Sequence, residues 1–356
     1  RDRSVSRGLG DVYKRQITPD FMAKLNECCD ITMGGYAVTG LNTMPEDELI
    51  DLLKGAELAI IEYENVTRKV IENSPSLRLI VCPRGKPVNI DCEAAAERGI
   101  PVVNTPARNA NSVAELVVSQ MISVCRQLGC ANHEIKNGRY LGEPVDDIYA
   151  PTDRDDVVWM LDEEDSPFKR YRGPEISYRT MGFIGFGAIG ARVKHLLNGF
   201  DMNFLVYDPY LPAEIAEKEG VKLCSLDEVL AGSDFVSVHC AVTPQTTGMI
   251  GVEEFKKMKP TAYFINTARG KIVQQKALVE ALQTGEIAGA VLDVFWSEPL
   301  PANHPLLKMR NVLITPHIAG ASTDVPTCHS RMAYNDIQHY LKKEPMEHVY
   351  NRKLLK

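Results

Sequence analysis

The segment Thr180-Met-Gly-Phe-Ile-Gly-Phe-Gly-Ala-Ile-Gly-Ala-Arg192 carries the strongest structural signal in this chain. An apolar run leads into Gly185, Gly187 and Gly190, and an amphipathic segment follows. The first glycine permits a tight strand-to-helix turn, the second lets the backbone approach a pyrophosphate, and the third lets the helix lie close to the strand. The helix N-terminus presents free N–H groups to the phosphates. This segment therefore predicts a dinucleotide site.

The next apolar run, Phe204–Tyr207, ends on the acidic residue Asp208. An acid at the tip of the second strand accepts hydrogen bonds from a ribose 2′-hydroxyl. The same carboxylate would face the 2′-phosphate of NADP with like charge, and Pro209 and Tyr210 supply no arginine to compensate. The sequence therefore predicts NAD as the cofactor.

Composition narrows the class of protein. With 356 residues, 44% of them hydrophobic and 24% charged, the chain is long enough for two or three globular domains. A net charge of −7 argues against a nucleic-acid surface. Neither a membrane-spanning apolar run nor a signal-type core is present in the sequence. The nine cysteines lack metal-ligand spacing, which predicts reduced thiols, no metal site and a cytoplasmic location.

Residues 1–16 stand apart from the rest of the sequence. They have no helix or strand periodicity and no initiator methionine. We expect a non-native leader, with the protein itself starting near Ile17 and lacking a first strand, and we leave residues 1–16 out of the fold prediction.

The remaining sequence alternates short apolar strands with amphipathic helices, which predicts parallel sheets covered by helices. Before the glycine segment the predicted strands are 56–61, 77–81 and 100–103, and the predicted helices are 45–53, 91–98 and 111–126, the last capped by Ser112. After it, Ser225–Glu228 is a capping box, strands are predicted at 235–238, 262–265, 289–292 and 312–315, and helices at 277–283 and 330–342. The fold class is α/β with two doubly wound sheets. We place one domain in 17–108 and 322–356 and the other in 109–321.

Residues 141–178 break this rhythm with a run of acids around Trp159. Two interpretations remain open. The segment is either a solvated insertion or an arm that packs on a second subunit through the indole, since an exposed tryptophan is unusual. The second interpretation favours a homodimer.

Three loops beyond predicted strand ends carry the side chains for redox chemistry. They are 266–270, 293–299 and 315–320, and they hold Arg269, Glu298 and His317. Transfer of a hydride between an alcohol carbon and nicotinamide needs a base for the hydroxyl proton, and histidine titrates in the right range. A carboxylate on its other nitrogen fixes the tautomer. An arginine binds a substrate carboxylate bidentately and polarises the carbonyl.

The glycine segment, the Asn-Thr-Ala-Arg-Gly loop, the Leu-Asp-Val-Phe-x-x-Glu-Pro loop and the Thr-Pro-His motif together resemble the D-isomer-specific 2-hydroxyacid dehydrogenases, the group of phosphoglycerate, glycerate, glyoxylate and D-lactate dehydrogenases. The resemblance covers about Ile17 to Lys356. It implies a Rossmann NAD-binding domain inserted into a flavodoxin-like substrate domain, with the active site in the cleft between them. Arg269 would hold the substrate, Glu298 would pair with His317, and His317 would be the acid/base. Cofactor-binding residues would be Gly185, Gly187, Ala188, Ile189, Gly190, Asp208, Cys240, Thr267, Ala268, Asp293 (facing the nicotinamide amide) and Gly320.

One loop departs from the pattern of that family. Relatives carry a glycine-rich loop whose backbone N–H groups bind the substrate carboxylate, whereas this chain has Arg84, Gly85 and Lys86 followed by Pro87. Arg84, Lys86 and Arg269 together supply three positive charges, which is more than one substrate carboxylate needs. Unpaired like charges are costly to desolvate. This favours a phosphorylated or dicarboxylic substrate such as 3-phosphoglycerate. The alternative is that Lys86 points to solvent and the substrate is a plain small 2-hydroxyacid.

Two other functions fit the same fold. Formate oxidation needs no hydroxyl proton relay, and Glu298 disfavours it because formate-oxidising relatives carry glutamine at that place. A non-catalytic, NAD-sensing corepressor or scaffold is compatible with a retained Arg269, Glu298 and His317. Turnover of a panel of 2-oxoacids distinguishes these functions.

Overall fold

A computed structural model of the chain describes residues 2–5, 17–35, 38, 43–149 and 164–355. The chain divides into two compact units. The first comprises Arg1–Ser112 and Gly320–Lys356, and the second comprises Val113–Ala319. The first unit is therefore built from both ends of the sequence, and the second is a continuous insertion.

The first unit is a five-stranded parallel sheet in the order β2-β1-β3-β4-β5. This is the flavodoxin-like doubly wound order. Its strands are β1 Asp2–Val5, β2 Cys29–Thr32, β3 Leu58–Ile60, β4 Leu79–Cys82 and β5 Val102–Asn104. Its helices are α1 Pro19–Asn26, α2 Glu46–Leu52, α3 Arg68–Glu72, α4 Cys92–Glu97 and α13 Val325–Lys342, and α5 Ala110–Cys125 leads into the second unit.

Strand β1 corrects one expectation from the sequence. Residues 2–5 pair in parallel with β2 on one side and β3 on the other, with Ser4 opposite both Ile31 and Leu58. The sequence analysis left residues 1–16 out of the fold prediction and therefore did not predict this strand at residues 2–5. A central strand is held by backbone hydrogen bonds on both edges, and these need no apolar periodicity in its side chains. Residues 6–16 lie outside the described part of the chain.

Helices cover both faces of the first sheet. On one face, α1 and α13 pack over Leu58, Ile60 and Val81. On the other face, α2, α3 and α4 bury the side chains of Ala59, Ile61, Ile80, Cys82 and Val102. The final helix thus packs on the first unit as predicted, although it begins at Val325 rather than at Ser330. The loops after β3, β4 and β5 carry the charged residues Glu62, Arg84 and Arg108, respectively.

The second unit is a seven-stranded parallel sheet in the order β12-β11-β10-β9-β6-β7-β8. Counted from β6, this is the Rossmann order with one added strand. Its strands are β6 Thr180–Ile184, β7 Asn203–Tyr207, β8 Lys222–Leu223, β9 Phe235–Val238, β10 Tyr263–Asn266, β11 Gly289–Leu292 and β12 Val312–Ile314. Its helices are α6 Leu128–Lys136, α7 Pro167–Arg170, α8 Ala188–Leu197, α9 Ala213–Glu219, α10 Leu226–Gly232, α11 Val252–Lys257 and α12 Gln275–Thr284, with 3-10 turns at Asn198–Phe200, Gly270–Ile272 and Pro305–Lys308.

Of the two helix caps predicted from the sequence, the structure contains one and not the other. The predicted capping box is present, because the Ser225 hydroxyl accepts from the Glu228 N–H and the Glu228 carboxylate accepts from the Ser225 N–H. Ser112 is not an N-cap, since α5 begins two residues earlier, at Ala110. The left-handed backbone of Ala107, with φ of 57°, lets the Ala110 N–H reach the Ala107 carbonyl and starts the helix there. Trp159 lies outside the described residues.

The helices described by the structure include none that is both long and apolar enough to cross a membrane.

Candidate active site

Three adjacent strands of the second unit deliver the predicted catalytic side chains to one edge of its sheet. Asn266 of β10 lies opposite Leu292 of β11, which lies opposite Ile314 of β12. The loops that follow these strands therefore leave the sheet side by side, at the carboxyl edge where open parallel sheets bind their ligands. They carry Arg269, Glu298 and His317, respectively.

His317 and Glu298 form a hydrogen-bonded pair. The His317 Nδ1 lies 2.7 Å from the Glu298 Oε2, and the backbone N–H of Phe295 donates to the Glu298 Oε1 at 3.0 Å. The hydrogen bond from His317, followed by that from Phe295, lowers the pKa of Glu298 below its ordinary value. An ionised carboxylate only accepts, so Nδ1 carries the hydrogen. The Nε2 atom of the half-exposed ring is then free to exchange a proton with a ligand.

Asp293 holds the loop on which His317 lies. Its buried carboxylate accepts hydrogen bonds from the Thr315 hydroxyl at 2.6 Å and from the backbone N–H groups of Ile318 and Ala319 at 2.9 Å. Its carbonyl accepts from the His317 N–H at 2.8 Å, while His317 adopts a left-handed φ of 55°. The sequence interpretation placed Asp293 against the nicotinamide amide and missed this anchoring role. An acid directly at a strand end, one loop before Thr-Pro-His, is the signal that could have revealed it.

Asn266 shapes the arginine loop. Its Oδ1 accepts from the Ala268 N–H at 3.0 Å, and its Nδ2 donates to the Arg269 carbonyl at 3.0 Å. The next residue, Gly270, lies against the backbone of Phe295, where an added Cβ would come within 2.3 Å of the carbonyl oxygen. The Arg269 side chain is exposed, and its charge contributes to the lowered pKa of Glu298. The sequence reasoning did not identify Asn266 or Gly270 as supports of this loop.

The glycine segment has the geometry of a phosphate cradle. Gly185 has a φ of +87°, and a Cβ there would lie 2.8 Å from the Cys240 backbone nitrogen. Gly187 precedes α8, which has no side-chain cap, and a Cβ at this glycine would meet nothing within 4 Å. Gly190 lies close to the Gly185 carbonyl, at 3.3 Å from a built Cβ. Ala188 and Ile189, which lie between Gly187 and Gly190, begin the first turn of α8. The space beside Gly187, at the N-terminus of α8, is therefore open, as a bound pyrophosphate requires.

Other predicted cofactor residues lie at the ends of neighbouring strands. Asp208 follows β7, and its carboxylate accepts from the Phe186 and Tyr210 N–H groups at 2.8 and 2.9 Å. Cys240 follows β9. The buried Thr267 hydroxyl, after β10, has no hydrogen-bond partner in the described part of the chain. An orphaned hydroxyl, an uncapped helix terminus and an open glycine cradle on one sheet edge all fit NAD.

Gly320 belongs to the first unit. A Cβ at this residue would lie 2.6 Å from the Asn109 Nδ2, so Gly320 allows close packing of two segments within that unit.

His239, directly after β9, contacts other residues of the second unit. Its Nε2 lies 2.9 Å from the Ser237 hydroxyl, and its ring lies beside that of Phe183 with centroids 5.8 Å apart. Burial lowers the pKa of His239 to about 4, which keeps its ring neutral near pH 7.

The predicted substrate loop lies in the first unit, after β4. The Lys86 side chain is exposed. The Gly85 carbonyl accepts from the Asn104 side chain at 2.7 Å. Arg84 lies over the Tyr63 ring, 5.7 Å from its centroid, and reaches the Glu62 carbonyl at 3.4 Å. The buried Glu62 carboxyl is also close enough for Arg84 to oppose the rise in its pKa, so Arg84 has a carboxyl group nearby.

The described residues contain no cluster of three or more histidine, cysteine or acidic side chains that could hold a metal ion. Together, the fold and the two sites define a dinucleotide-binding α/β protein with a hydrogen-bonded histidine–carboxylate pair at the carboxyl edge of its second sheet.

Comparisons with known proteins agree with this class. Residues 118–319 match the family model described as D-isomer specific 2-hydroxyacid dehydrogenase, NAD binding domain. A glyoxylate reductase of Thermofilum pendens is 33% identical over 97% of this chain and 95% of its own length. A D-3-phosphoglycerate dehydrogenase of Methanocaldococcus jannaschii is 36% identical over 88% of this chain but only 54% of its own length. The structure of a D-isomer specific 2-hydroxyacid dehydrogenase from Lactobacillus delbrueckii ssp. bulgaricus, in its NAD-complexed form, has a TM-score of 0.74 at 22% identity, covering 96% of this chain and 98% of that one, and shares the fold.

The chain belongs to the D-isomer specific 2-hydroxyacid dehydrogenase family. It is an NAD-dependent oxidoreductase that acts on 2-hydroxyacids.

The open cradle at Gly187 allows a test of cofactor binding that leaves the fold intact. We expect Gly187→Ala to raise the Kd for NADH at least about tenfold, or ~1.4 kcal/mol, because the methyl group occupies the space of the pyrophosphate. The melting temperature should stay unchanged, since the built Cβ meets nothing within 4 Å. Fluorescence titration with NADH measures the Kd. Gly199→Ala is the matched control, because its Cβ also meets nothing within 4 Å, and an equal Kd in both variants would contradict the assignment.

Proposed function

We propose that His317 is the acid/base of the reaction, that Glu298 orients it, and that Arg269 binds the substrate carboxylate. The observation that carries this proposal is the 2.7 Å hydrogen bond between His317 and Glu298 on a loop anchored by Asp293. The anchored backbone and the paired Nδ1 leave Nε2 as the atom that faces substrate. Arg269 lies near enough to influence the Glu298 carboxylate, which places a cation beside the pair.

This arrangement determines which atom gives and takes the proton. NAD, when bound, supplies the hydride chemistry at the C2 carbon of the substrate. In the direction of reduction, the Nε2 of protonated His317 gives its proton to the carbonyl oxygen, and in the direction of oxidation the neutral ring takes the hydroxyl proton. The Glu298 carboxylate stabilises the positive charge on the ring, because the same hydrogen bond lowers the pKa of Glu298. Arg269 polarises the carbonyl while it holds the carboxylate.

For the substrate, we propose a 2-hydroxyacid with a second anionic group, a phosphate or a distal carboxylate, as in 3-phosphoglycerate. Lys86 supports this: it is exposed and has no ion pair in the part of the chain that the structure describes. The backbone N–H groups of Gly85 and Lys86 also lack partners among the described residues, so they can bind an anion. The relatives include glyoxylate reductases as well as phosphoglycerate dehydrogenases, and the chain spans about half the length of the latter.

We infer that the protein is a homodimer. Helix α6 buries none of its side chains, and it exposes Leu128 and Ile135. The segment that follows it also exposes large apolar side chains, namely Leu141, Val145, Ile148 and Tyr149. Several exposed apolar side chains in one stretch favour association, and a second copy of the chain presents the same side chains for a closed pairing.

The acid/base assignment predicts two distinct defects. His317→Ala should lower kcat for reduction by about 10²- to 10⁴-fold with little change in the Kd for NADH, because the proton donor is lost and the cofactor site remains. Glu298→Gln should move the alkaline limb of the reduction profile to lower pH, because the neutral amide no longer stabilises the protonated ring. Steady-state kinetics across pH measures both, with His195→Ala and Glu214→Gln as exposed controls. An unchanged pH profile in Glu298→Gln would remove Glu298 from the pair.

The substrate proposal predicts a ranking of substrates. A phosphorylated or dicarboxylic 2-oxoacid should exceed glyoxylate and pyruvate in kcat/KM, and formate should not be oxidised. Lys86→Ala should remove most of that advantage, because the cation that compensates the second charge is lost. The exposed Lys353→Ala is the control. If Lys86→Ala leaves the ranking unchanged, the substrate is a small monoanionic 2-hydroxyacid. Absence of turnover with every 2-oxoacid would favour the scaffold function.

The dimer predicts a sensitivity to charge at its apolar surface. Sedimentation equilibrium of the wild type should give twice the mass of the chain. Ile148→Asp should weaken the association, because a buried unpaired carboxylate is costly at an interface. Leu354→Asp, at an exposed apolar residue of the first unit, is the control. A monomeric wild type would contradict the inference.

A further inference from the structure

The loop that carries Glu298 is held in place by side chains. Residues 294–298 make no backbone–backbone hydrogen bond among the residues that the structure describes. The Phe295 N–H donates to the Glu298 carboxylate, which belongs to the same loop. The position of Glu298 therefore depends on contacts that fix this loop from outside. The side chain of Trp296, which lies between these two residues in the sequence, makes such contacts.

Trp296 joins the glutamate loop to the loop of Arg269. Its indole Nε1–H donates to the Val273 carbonyl at 2.6 Å. Val273 directly follows the 3-10 turn Gly270–Ile272, which begins next to Arg269, and the Val273 N–H donates to the Gly270 carbonyl at 3.0 Å. Gly270 also lies against the backbone of Trp296, since an added Cβ would come within 2.7 Å of the Trp296 nitrogen. The two loops therefore meet through one hydrogen bond and one close backbone contact.

A buried histidine packs on the indole. The His304 ring stacks on that of Trp296, with centroids 6.4 Å apart and 14° between the ring planes. The His304 Nδ1 accepts from the Leu306 N–H at 3.3 Å, and its Nε2 lies 2.8 Å from the side-chain amide of Gln275, the first residue of α12. Burial lowers the pKa of His304, so the ring is neutral near pH 7. The indole is thus held by a hydrogen bond at its edge and by a hydrogen-bonded ring on its face.

We propose that Trp296 is a positioning residue, which holds the loop of Glu298 against the loop of Arg269. The Glu298 carboxylate is thereby kept at the Nδ1 of His317. In taking His317 as the acid/base, we rely on the proposed function. Trp296 fills the first of the two unspecified positions in Leu-Asp-Val-Phe-x-x-Glu-Pro, so the motif itself does not require it. The indole acts through the Glu298 carboxylate and exchanges no proton with the substrate.

The indole donor can be removed with little change in packing. Trp296→Phe keeps an aromatic ring against His304 and loses the Nε1–H. The loop then gains freedom, and the Glu298 carboxylate is hydrogen-bonded to His317 and Phe295 for a smaller fraction of the time. Because these two hydrogen bonds lower the pKa of Glu298, that pKa should rise toward its ordinary value. A change that only lowers the stability of the second unit does not have this effect.

The test follows the Glu298 carboxyl directly. In protein with isotope-labelled glutamate carboxyl carbons, the NMR signal that is absent from Glu298→Gln belongs to Glu298. This signal should titrate at higher pH in Trp296→Phe than in the wild type. Phe235→Leu is the matched control, because it removes an aromatic stack with Tyr263 at the first residues of β9 and β10, the opposite edge of the same sheet. The control should titrate as the wild type does.

The kinetics provide a second measurement. In Trp296→Phe, kcat/KM for the best 2-oxoacid should fall about two- to tenfold, the effect of one lost hydrogen bond. The alkaline limb of the reduction profile should move to lower pH, because the protonated His317 ring loses part of its stabilisation by the carboxylate. Phe235→Leu should keep the profile of the wild type. A lower rate in Trp296→Phe with an unmoved limb would show a structural role alone and overturn the inference.

An unchanged Glu298 titration in Trp296→Phe also overturns the inference, as does an equal shift in Phe235→Leu. If Trp296→Phe does not fold, an isosteric replacement decides. In Trp159→Phe protein, Trp296 is the only tryptophan, and incorporation of the benzothiophene analogue of tryptophan replaces its N–H by sulfur. Compared with Trp159→Phe containing tryptophan, Glu298 should again titrate at higher pH, and an equal titration overturns the inference. If the wild type turns over no 2-oxoacid, the proposed function fails, while the NMR titration still decides the role of Trp296.

Discussion

The buried carboxylate of Asp293 is the constraint on which the candidate active site depends. It accepts one hydroxyl and two backbone N–H groups from the loop after β12, and its carbonyl accepts the N–H of His317. A buried carboxylate without these donors would be strongly unfavourable, so the loop and the acid stabilise each other. The loop is thereby held with His317 in a left-handed conformation, 2.7 Å from Glu298. His317 is thus positioned by the residue that directly follows the neighbouring strand.

The two units use charged residues at strand ends in different ways. In the second unit, Glu298 and His317 are half-exposed, and their hydrogen bond lowers the pKa of the carboxyl, which stays ionised at neutral pH. In the first unit, burial dominates at Glu62 and raises its pKa to about 7, although two arginines lie nearby. The same residue type therefore serves as a fixed charge in one place and as a titrating group in the other. Solvent access decides which outcome occurs.

Much of the fold follows from sequence patterns, because each pattern reflects a local physical requirement. Strand β6, the turn at Gly185 and helix α8 follow directly from the apolar run and the glycines, and the capping box at Ser225 is present as predicted. Strand β1 could not be predicted, since it is held by pairing with β2 and β3 rather than by its own side-chain pattern. The start of α5 was misplaced for a related reason, because a left-handed turn at Ala107 precedes it.

For the candidate site, the sequence by itself determined which residues follow the strands and hence which chemistry is available: Arg269, Glu298 and His317 beside a dinucleotide fingerprint. Spacing along the chain places such residues at strand ends, and parallel strands bring those ends to one edge. Only the tertiary structure decided the partners of each group. It directed the Asp293 carboxylate to the His317 loop, placed Arg84 beside Glu62, and buried Glu62 in a cavity with Arg108. Burial and charge pairing depend on atoms distant in sequence, and for that reason the ionisation of Glu62 is a property of the fold.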